Sequence, residues 1–363
     1  MLAQALDDKQ HCVGIYHDGK LLYNCEEFDF GAVSATWNYN PVFAQNSTLI
    51  ASLFVGGKSL NEVCPDFLRH RWEAINARMR AFYKSFSTAK ISLERHCFYD
   101  LVPQRFLLEH CEMKNKITEH IIKTYDTPEN YDFLRKLAEF TYNIRQQKLN
   151  IDYAEIARES HHFKTRNFLK KSKHIKPYIS YNIYGTKTGR MTTYKGGFPI
   201  LTLDADYRSI LKPTNDYFVE LDYNAAELRV LLGLSGKEQP QDDIHQWNID
   251  NIYRGIGTRE EAKKRIFAWL YNPKSKDYLS NRYYNRDEVI KKYFNGQQVT
   301  TYFDRTIEAD KHHALNYLIQ STTSDLVLSR AFNIANKLKG KKSFISFTPV
   351  SYTHLRAHET RHD

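Results

Sequence analysis

An α+β fold is the reading this sequence supports, and three observations predict it. Tyr217-Phe218-Val219-Glu220-Leu221 is an apolar run of strand length that closes on Asp222. Three later segments, Arg259–Tyr271, Asp287–Tyr293 and His312–Leu338, carry helical spacing. The first hundred residues open on a hairpin pattern: Cys12–Tyr16, a His17-Asp18-Gly19 turn, then Leu21-Leu22-Tyr23. An N-terminal α/β region is therefore expected ahead of the rest.

Taken in order, Asn61–Lys84 reads as helix from the spacing of Leu, Phe, Trp and Ile. Pro103 introduces a largely helical stretch that runs to Asn150, with acidic and basic residues mixed on its polar faces. Lys176-Pro177 is the expected break after the basic segment that follows, because proline disfavours helix in the residue before it. Tyr178 to Pro213 alternates short β-like runs with Gly, Thr and Lys. Past the Tyr217–Leu221 strand, Asp222 leads into a helix-like pattern at Asn224–Arg229. No internal repeat or low-complexity tract interrupts the chain.

The 363 residues predict two or three domains at about 150 residues each. A 42% hydrophobic and 26% charged composition excludes a wholly disordered or collagen-like chain. No apolar run approaches the roughly 18 residues of a membrane span, and Met1–Gln10 lacks the apolar stretch of a signal peptide. Five cysteines, at 12, 25, 64, 97 and 111, are odd in number and show no CxxC spacing, which predicts reduced thiols and a cytoplasmic protein. Fifty-two Lys and Arg against 42 Asp and Glu leave a net charge of +10. Nine of the basic residues fall between Ser160 and Leu203, where there is no Asp or Glu, and such a stretch suits a polyanionic partner.

Two segments carry chemistry. A carboxylate at a strand end, as at Asp222, can hold a divalent ion, although such an Asp more often closes a turn or caps a helix. Thr258-Arg259-Glu260-Glu261 has capping-box spacing, and Arg259, Lys263, Phe267 and Tyr271 recur at steps of four in the helix it opens. Those steps place two cations near the positive helix end, where phosphates are favoured, and two aromatics further along, where a base or sugar can stack. Spacing alone weighs this equally with a helix that has its aromatics in a core and its cations in water.

The stripe Arg259-x3-Lys263-x3-Phe267-x3-Tyr271 resembles motif B of family A DNA polymerases, the DNA polymerase I family, and Asp222–Arg229 resembles their motif A. Asp243-Ile244-His245 lies between the two. Thr186–Thr193 resembles the TxTGRLSS segment, Phe303-Asp304-Arg305 the FGR turn, and Asn316-x3-Gln320-Ser321-Thr322-Thr323-Ser324-Asp325 the NxxxQGTAAD helix. The resemblance covers about Tyr178 to Thr348, in the style of the compact bacteriophage members.

It implies a partial right-hand fold, with an antiparallel-sheet palm, helical fingers and a short thumb. It also implies a DNA polymerase of replication that joins dNTPs to the 3′-end of primer-template DNA with two Mg²⁺ ions. Asp222 would be catalytic and would bind metal together with the Tyr223 carbonyl. His245, Arg259 and Lys263 would hold the triphosphate. Glu227 would lie under the sugar as a gate against the 2′-hydroxyl, Phe267 would pack on the nucleotide, and Tyr271 would occupy the templating position until displaced. Arg190, Arg208, Arg229, Asn316 and Gln320 would contact DNA without reading its sequence. A monomer in the cytoplasm, that of a bacterial host for a phage protein, is expected.

The expected organisation is an N-terminal region at 1–105, a helical connector with a short basic thumb at 106–177, palm at 178–250, fingers at 251–311, and palm helix with a further strand start at 312–348. Residues 1–105 hold no Asp-x-Glu pair of the kind a 3′–5′ exonuclease needs, so an exonuclease-like remnant is left open there and proofreading is not expected. Three positions depart from the family pattern. His312 stands where an Arg is usual, Asn272 replaces the Gly after Tyr271, and Asp304 replaces the Gly of FGR, the last two predicting altered turns.

The family's third motif is an apolar strand ending in His-Asp. Ser343–Thr348 starts such a strand, but Pro349-Val350-Ser351 follows, and residues 349–363 resemble a translated sequencing adapter. The natural sequence is expected to stop near Thr348, leaving a fragment that lacks the second catalytic carboxylate and extends primers poorly. Two alternatives are a catalytically silent primer-template-binding protein and, remotely, a zinc peptidase built on the His358-Glu359-Thr360-Arg361-His362 pattern with His354.

Overall fold

A computed structural model describes residues 1–9, 11–25, 28, 31, 33–44, 47–173 and 175–348. The tail at 349–363, with the pattern behind the remote zinc-peptidase alternative, lies outside the described residues. The chain divides into two compact units, with the boundary between Lys148 and Leu149.

In the first unit, β1 (Ala3–Asp8), β2 (His11–His17) and β3 (Lys20–Leu22) form an antiparallel meander. Asp18 and Gly19 make the two-residue β2–β3 turn, and both hold the positive φ that a tight hairpin requires. The expected hairpin is present, and β1 adds a strand ahead of it that the hairpin pattern does not include. A parallel pair, β4 (Ala35–Thr36) and β5 (Leu49–Ile50), joins β1 through a parallel bridge between Leu2 and Ala35, so the strands run β3-β2-β1-β4-β5. Ala3, Ile15, Phe28, Val33 and Phe43 bury one apolar cluster. The buried polar residue of β1 is neutral Gln4, which donates to Asn115 Oδ1 at 2.6 Å and accepts from the Trp37 N–H at 3.3 Å.

Three long helices complete this unit: α1 (Asp66–Thr88), α2 (Gln104–Thr124) and α3 (Tyr131–Arg145). Pro65 and Pro103 stand at the N-caps of α1 and α2, where the missing N–H costs nothing. Pro65 also divides the helix expected over Asn61–Lys84, and the stretch expected to run from Pro103 to Asn150 is divided between α2 and α3. All five cysteines are free thiols, and the Cys12 and Cys25 sulfurs approach to 3.9 Å.

The second unit is mainly helical: α4 (Phe163–Ser172), α5 (Ala226–Leu234), α6 (Ile244–Asn251), α7 (Arg259–Tyr271), α8 (Tyr278–Tyr284), α9 (Arg286–Tyr293) and α10 (Ala314–Leu338). Its described strands form short antiparallel pairs: β6 (Asn150–Ile151) with β9 (Leu211–Lys212), β7 (Tyr181–Asn182) with β8 (Thr192–Thr193), and β10 (Gln298–Thr300) with β11 (Thr306–Glu308). Leu228 and Leu231 of α5, Ile244 of α6, Ile266 and Trp269 of α7 and Leu318 of α10 share one core. That core fixes α5, α6 and α7 relative to one another. Among the described residues no helix is long and apolar enough to cross a membrane.

One expected element is corrected. Tyr217–Leu221 forms no strand. Tyr217, Val219 and Leu221 are 83%, 82% and 73% exposed, so the run is apolar but uncovered. Residues 343–348 likewise carry no strand assignment, although Phe347 lies 6.0 Å from Phe218 between ring centres and the Asn215 side chain donates to Lys342 O. A strand exists only as part of a ladder, and among the described residues this run has no ladder partner.

Candidate functional site

The α5 N-terminus sets the floor of the site. The uncovered run reverses into α5 through Asn224 and Ala225, and Ala225 holds φ 50°, a left-handed conformation that is costly for a residue with a Cβ. This turn places Glu227 in the first helical turn, 1% exposed. A buried carboxylate needs partners. Among those of Glu227, Arg190 donates to Oε1 at 2.5 Å and the Tyr271 hydroxyl donates to Oε2, both from other segments. Burial pushes the Arg190 guanidinium below its ordinary pKa, and the Glu227 charge opposes that shift.

The wall of the site is α7. The Thr258 hydroxyl accepts from the Glu261 N–H and the Glu261 carboxylate accepts from the Thr258 N–H, so the expected capping box is formed. Ala262, Ile266, Trp269 and Leu270 enter the core, which leaves Arg259, Lys263, Phe267 and Tyr271 along the other stripe. Phe267 and Tyr271 stack at 6.1 Å with an interplanar angle of 7°, and Phe267 meets the His245 ring at 5.9 Å. Arg259 turns back to α6, and its Nη2 lies 2.7 Å from Asp243 Oδ2.

Asp243 is the residue whose part motif spacing does not show. As the N-cap of α6 it accepts from the His245 and Gln246 N–H groups at 2.9 and 3.0 Å, and it also accepts from Asn224 and Arg259. Burial raises its pKa, but the bonds from Arg259, Asn224 and the Gln246 N–H outweigh burial and hold the carboxyl well below the usual range. An Asp directly before an apolar-periodic run is a helix-start signal, and that signal could have found it. His245, in the first turn of α6, is buried with no hydrogen-bond partner at Nδ1 among the described residues, and burial lowers its pKa.

Among the residues expected to contact DNA, Arg190 joins the site. Arg229 has another setting: its guanidinium donates to the carbonyls of Asn224, Pro240 and Asp242 at 2.8 to 3.0 Å, pinning the loops that carry Asn224 and Asp243. Arg208 is exposed on a 3₁₀ turn, Ala205–Ile210. Asn316 and Gln320 stand one turn apart on α10, half-buried and buried, and the Asn316 side-chain carbonyl has no partner among the described residues.

Two of the departures have a physical account. Asp304 itself adopts φ 57° in the β10–β11 turn, the conformation a glycine supplies freely. Asn272 is extended, and the exit from α7 is braced from a distance, at one carbonyl of its last turn and three beyond its end. Arg286 donates to Trp269 O, Asn272 O, Pro273 O and Ser275 O at 2.6 to 3.2 Å. A guanidinium thus holds the chain as it leaves α7.

Asp222 and Tyr223 are exposed beside the turn. Their oxygens, one carboxylate and one backbone carbonyl, are hard donors of the kind Mg²⁺ takes, but two such oxygens do not complete a coordination shell. Among the described residues no group of three or more His, Cys, Asp or Glu is gathered to hold a metal.

No protein-family model and no curated protein matches this chain. Solved structures do. The POL domain of Pol1 from M. smegmatis, in complex with DNA primer-template and dNTP, matches with a TM-score of 0.57 at 10% identity, covering 96% of this chain and 87% of that one. The chain has a polymerase-like fold. At 10% identity the likeness is one of fold, and it specifies no subfamily.

Proposed function

We propose that this chain is a template-directed DNA polymerase of the family A type, in the manner of the compact bacteriophage members, acting in DNA replication. Convergence supports the reading. Arg190, Glu227, Tyr271, Phe267 and His245 form a run of contacts across four separate segments, and Arg259 and Lys263 continue the α7 stripe of Phe267 and Tyr271 within a polymerase-like fold.

In this reading Arg259 and Lys263 take the triphosphate of a dNTP, with His245 beside them. Phe267 packs against the nucleotide, and Tyr271 leaves Glu227 for the template base to enter. Glu227 then lies beneath the sugar and excludes a 2′-hydroxyl. Arg190, Arg208, Asn316, Gln320 and the basic Ser160–Leu203 stretch track primer-template DNA, while Arg229 positions the loops. Asp222 and the Tyr223 carbonyl would hold Mg²⁺, which would supply Lewis-acid stabilisation of the triphosphate.

A second reading is primer-template binding without catalysis, since Asp222 is the one side-chain carboxylate assigned to metal among the described residues, and one experiment separates the two. Duplex affinity and primer extension with Mg²⁺ are measured for this chain and for Asp222→Ala. Weak extension that Asp222→Ala abolishes, with duplex affinity kept within about threefold, supports the polymerase. Duplex binding without extension supports the second reading, and absence of duplex binding sinks both.

A further inference from the structure

The segment that carries Arg190 is held from beneath by an ion pair that no part of the proposed chemistry uses. Arg305, in the β10–β11 turn, donates to both oxygens of Asp325 on α10, from Nε at 3.0 Å and Nη2 at 2.8 Å. Asp325 is fully buried, and the Arg305 side chain is 12% exposed. A two-pronged pair to a buried carboxylate fixes the guanidinium plane, where a lysine would give only a point charge.

Gly189 closes onto that plane. A Cβ at Gly189 would stand 2.5 Å from Arg305 Cζ, 2.6 Å from Nη2 and 2.9 Å from Nε, so only a glycine backbone can approach it. Gly189 also holds φ +74°, and its carbonyl accepts from the Ser324 hydroxyl at 3.3 Å, on the same helix as Asp325. The turn is closed above by the Thr186 hydroxyl donating to Arg190 O at 2.9 Å. The next residue is Arg190, whose guanidinium reaches Glu227.

We propose that the Asp325–Arg305 pair is a positioning device for the sugar end of the nucleotide site: it forms the plate on which Gly189 rests, and so places Arg190 against Glu227. Asp325 and Arg305 are positioning residues, touching no substrate themselves. The nucleotide half of this inference rests on the proposed role of Glu227, and the geometric half does not.

The test uses the full chain and two conservative variants, Arg305→Lys and Asp325→Asn, with Glu227→Ala as reference. The first readout needs no nucleotide. Phenylglyoxal modification of Arg190 is followed by peptide mass spectrometry under conditions where circular dichroism shows each variant folded. Modification about tenfold faster in both variants is expected, and unchanged protection of Arg190 overturns the positioning role whatever else is found. The second readout is the binding preference for dATP over ATP in the presence of primer-template duplex and Mg²⁺. Each variant should lose about tenfold of that preference, the size of one charge-assisted hydrogen bond. Arg305→Lys combined with Glu227→Ala should lose no more than Glu227→Ala alone. If Glu227→Ala keeps the wild-type preference while Arg190 is released in both variants, the sugar-site reading fails and takes the nucleotide half with it. If Glu227→Ala loses the preference and Arg305→Lys keeps it, the sugar-site reading stands and this inference is overturned.

Discussion

At the scale of single residues, the site depends on two carboxylates with different surroundings. Glu227 is buried and joined to one cation and one hydroxyl, whereas Asp243 is partly open and gathers four donors from three segments. Because hydrogen bonds depress the folded pKa of Asp243, its stabilising contribution is complete above the unfolded value of about 3.9 and is lost as pH falls from there toward the lower folded value. Denaturation midpoints measured from pH 6 downward should therefore show a steeper acid limb in the wild type than in Asp243→Asn. Parallel limbs would remove Asp243 from this role. Ala225 offers the opposite sign. Its left-handed conformation costs about 1–2 kcal/mol, so Ala225→Gly should stabilise by about 0.5–1 kcal/mol after the extra backbone entropy of glycine, read as a higher urea midpoint.

At the scale of elements, α7 is legible in the sequence because its signals are local. A capping box starts it, and a stripe of four repeats along it. Its end is not legible there. Asn272 reads as an altered turn, and the exit is braced by Arg286, which reaches back from fourteen residues beyond Asn272 to the Trp269 carbonyl and to three carbonyls past the helix end. Arg286→Ala should leave those carbonyls with poorer partners and cost about 2–3 kcal/mol, with amides of the last α7 turn exchanging faster by hydrogen–deuterium exchange. Unchanged protection there would show that water serves the carbonyls as well. The Tyr217–Leu221 run fails for the converse reason. Its composition suits a strand, but strand formation requires a neighbour, and composition is silent on whether one is present.

At the scale of the whole molecule, charge and fold point the same way. The net charge of +10 is concentrated where acids are absent, and α4 in that stretch exposes Arg166, Lys170 and Lys171, with Lys173 just beyond its end. If this surface follows a phosphate backbone, duplex affinity should fall linearly with the logarithm of salt concentration. Replacing Lys170, Lys171 and Lys173 by Ala should reduce the slope by up to about 0.9 for each phosphate that a lysine no longer neutralises. An unchanged slope would place the duplex elsewhere.

What the sequence determined alone is what neighbours along the chain determine: the Asp-Gly hairpin, the capped helix α7 with its four-step stripe, and the concentration of charge. The tertiary structure decided which of those residues meet. It brought Arg190, Glu227 and Tyr271 together across 37 and 44 positions of chain, set Arg305 on Asp325 beneath Gly189, and left Tyr217–Leu221 uncovered. The reason is physical. Caps and turns are completed within a few residues, so sequence encodes them directly. Buried charges and strand ladders need partners brought from far along the chain, and only the packed core decides which partners arrive.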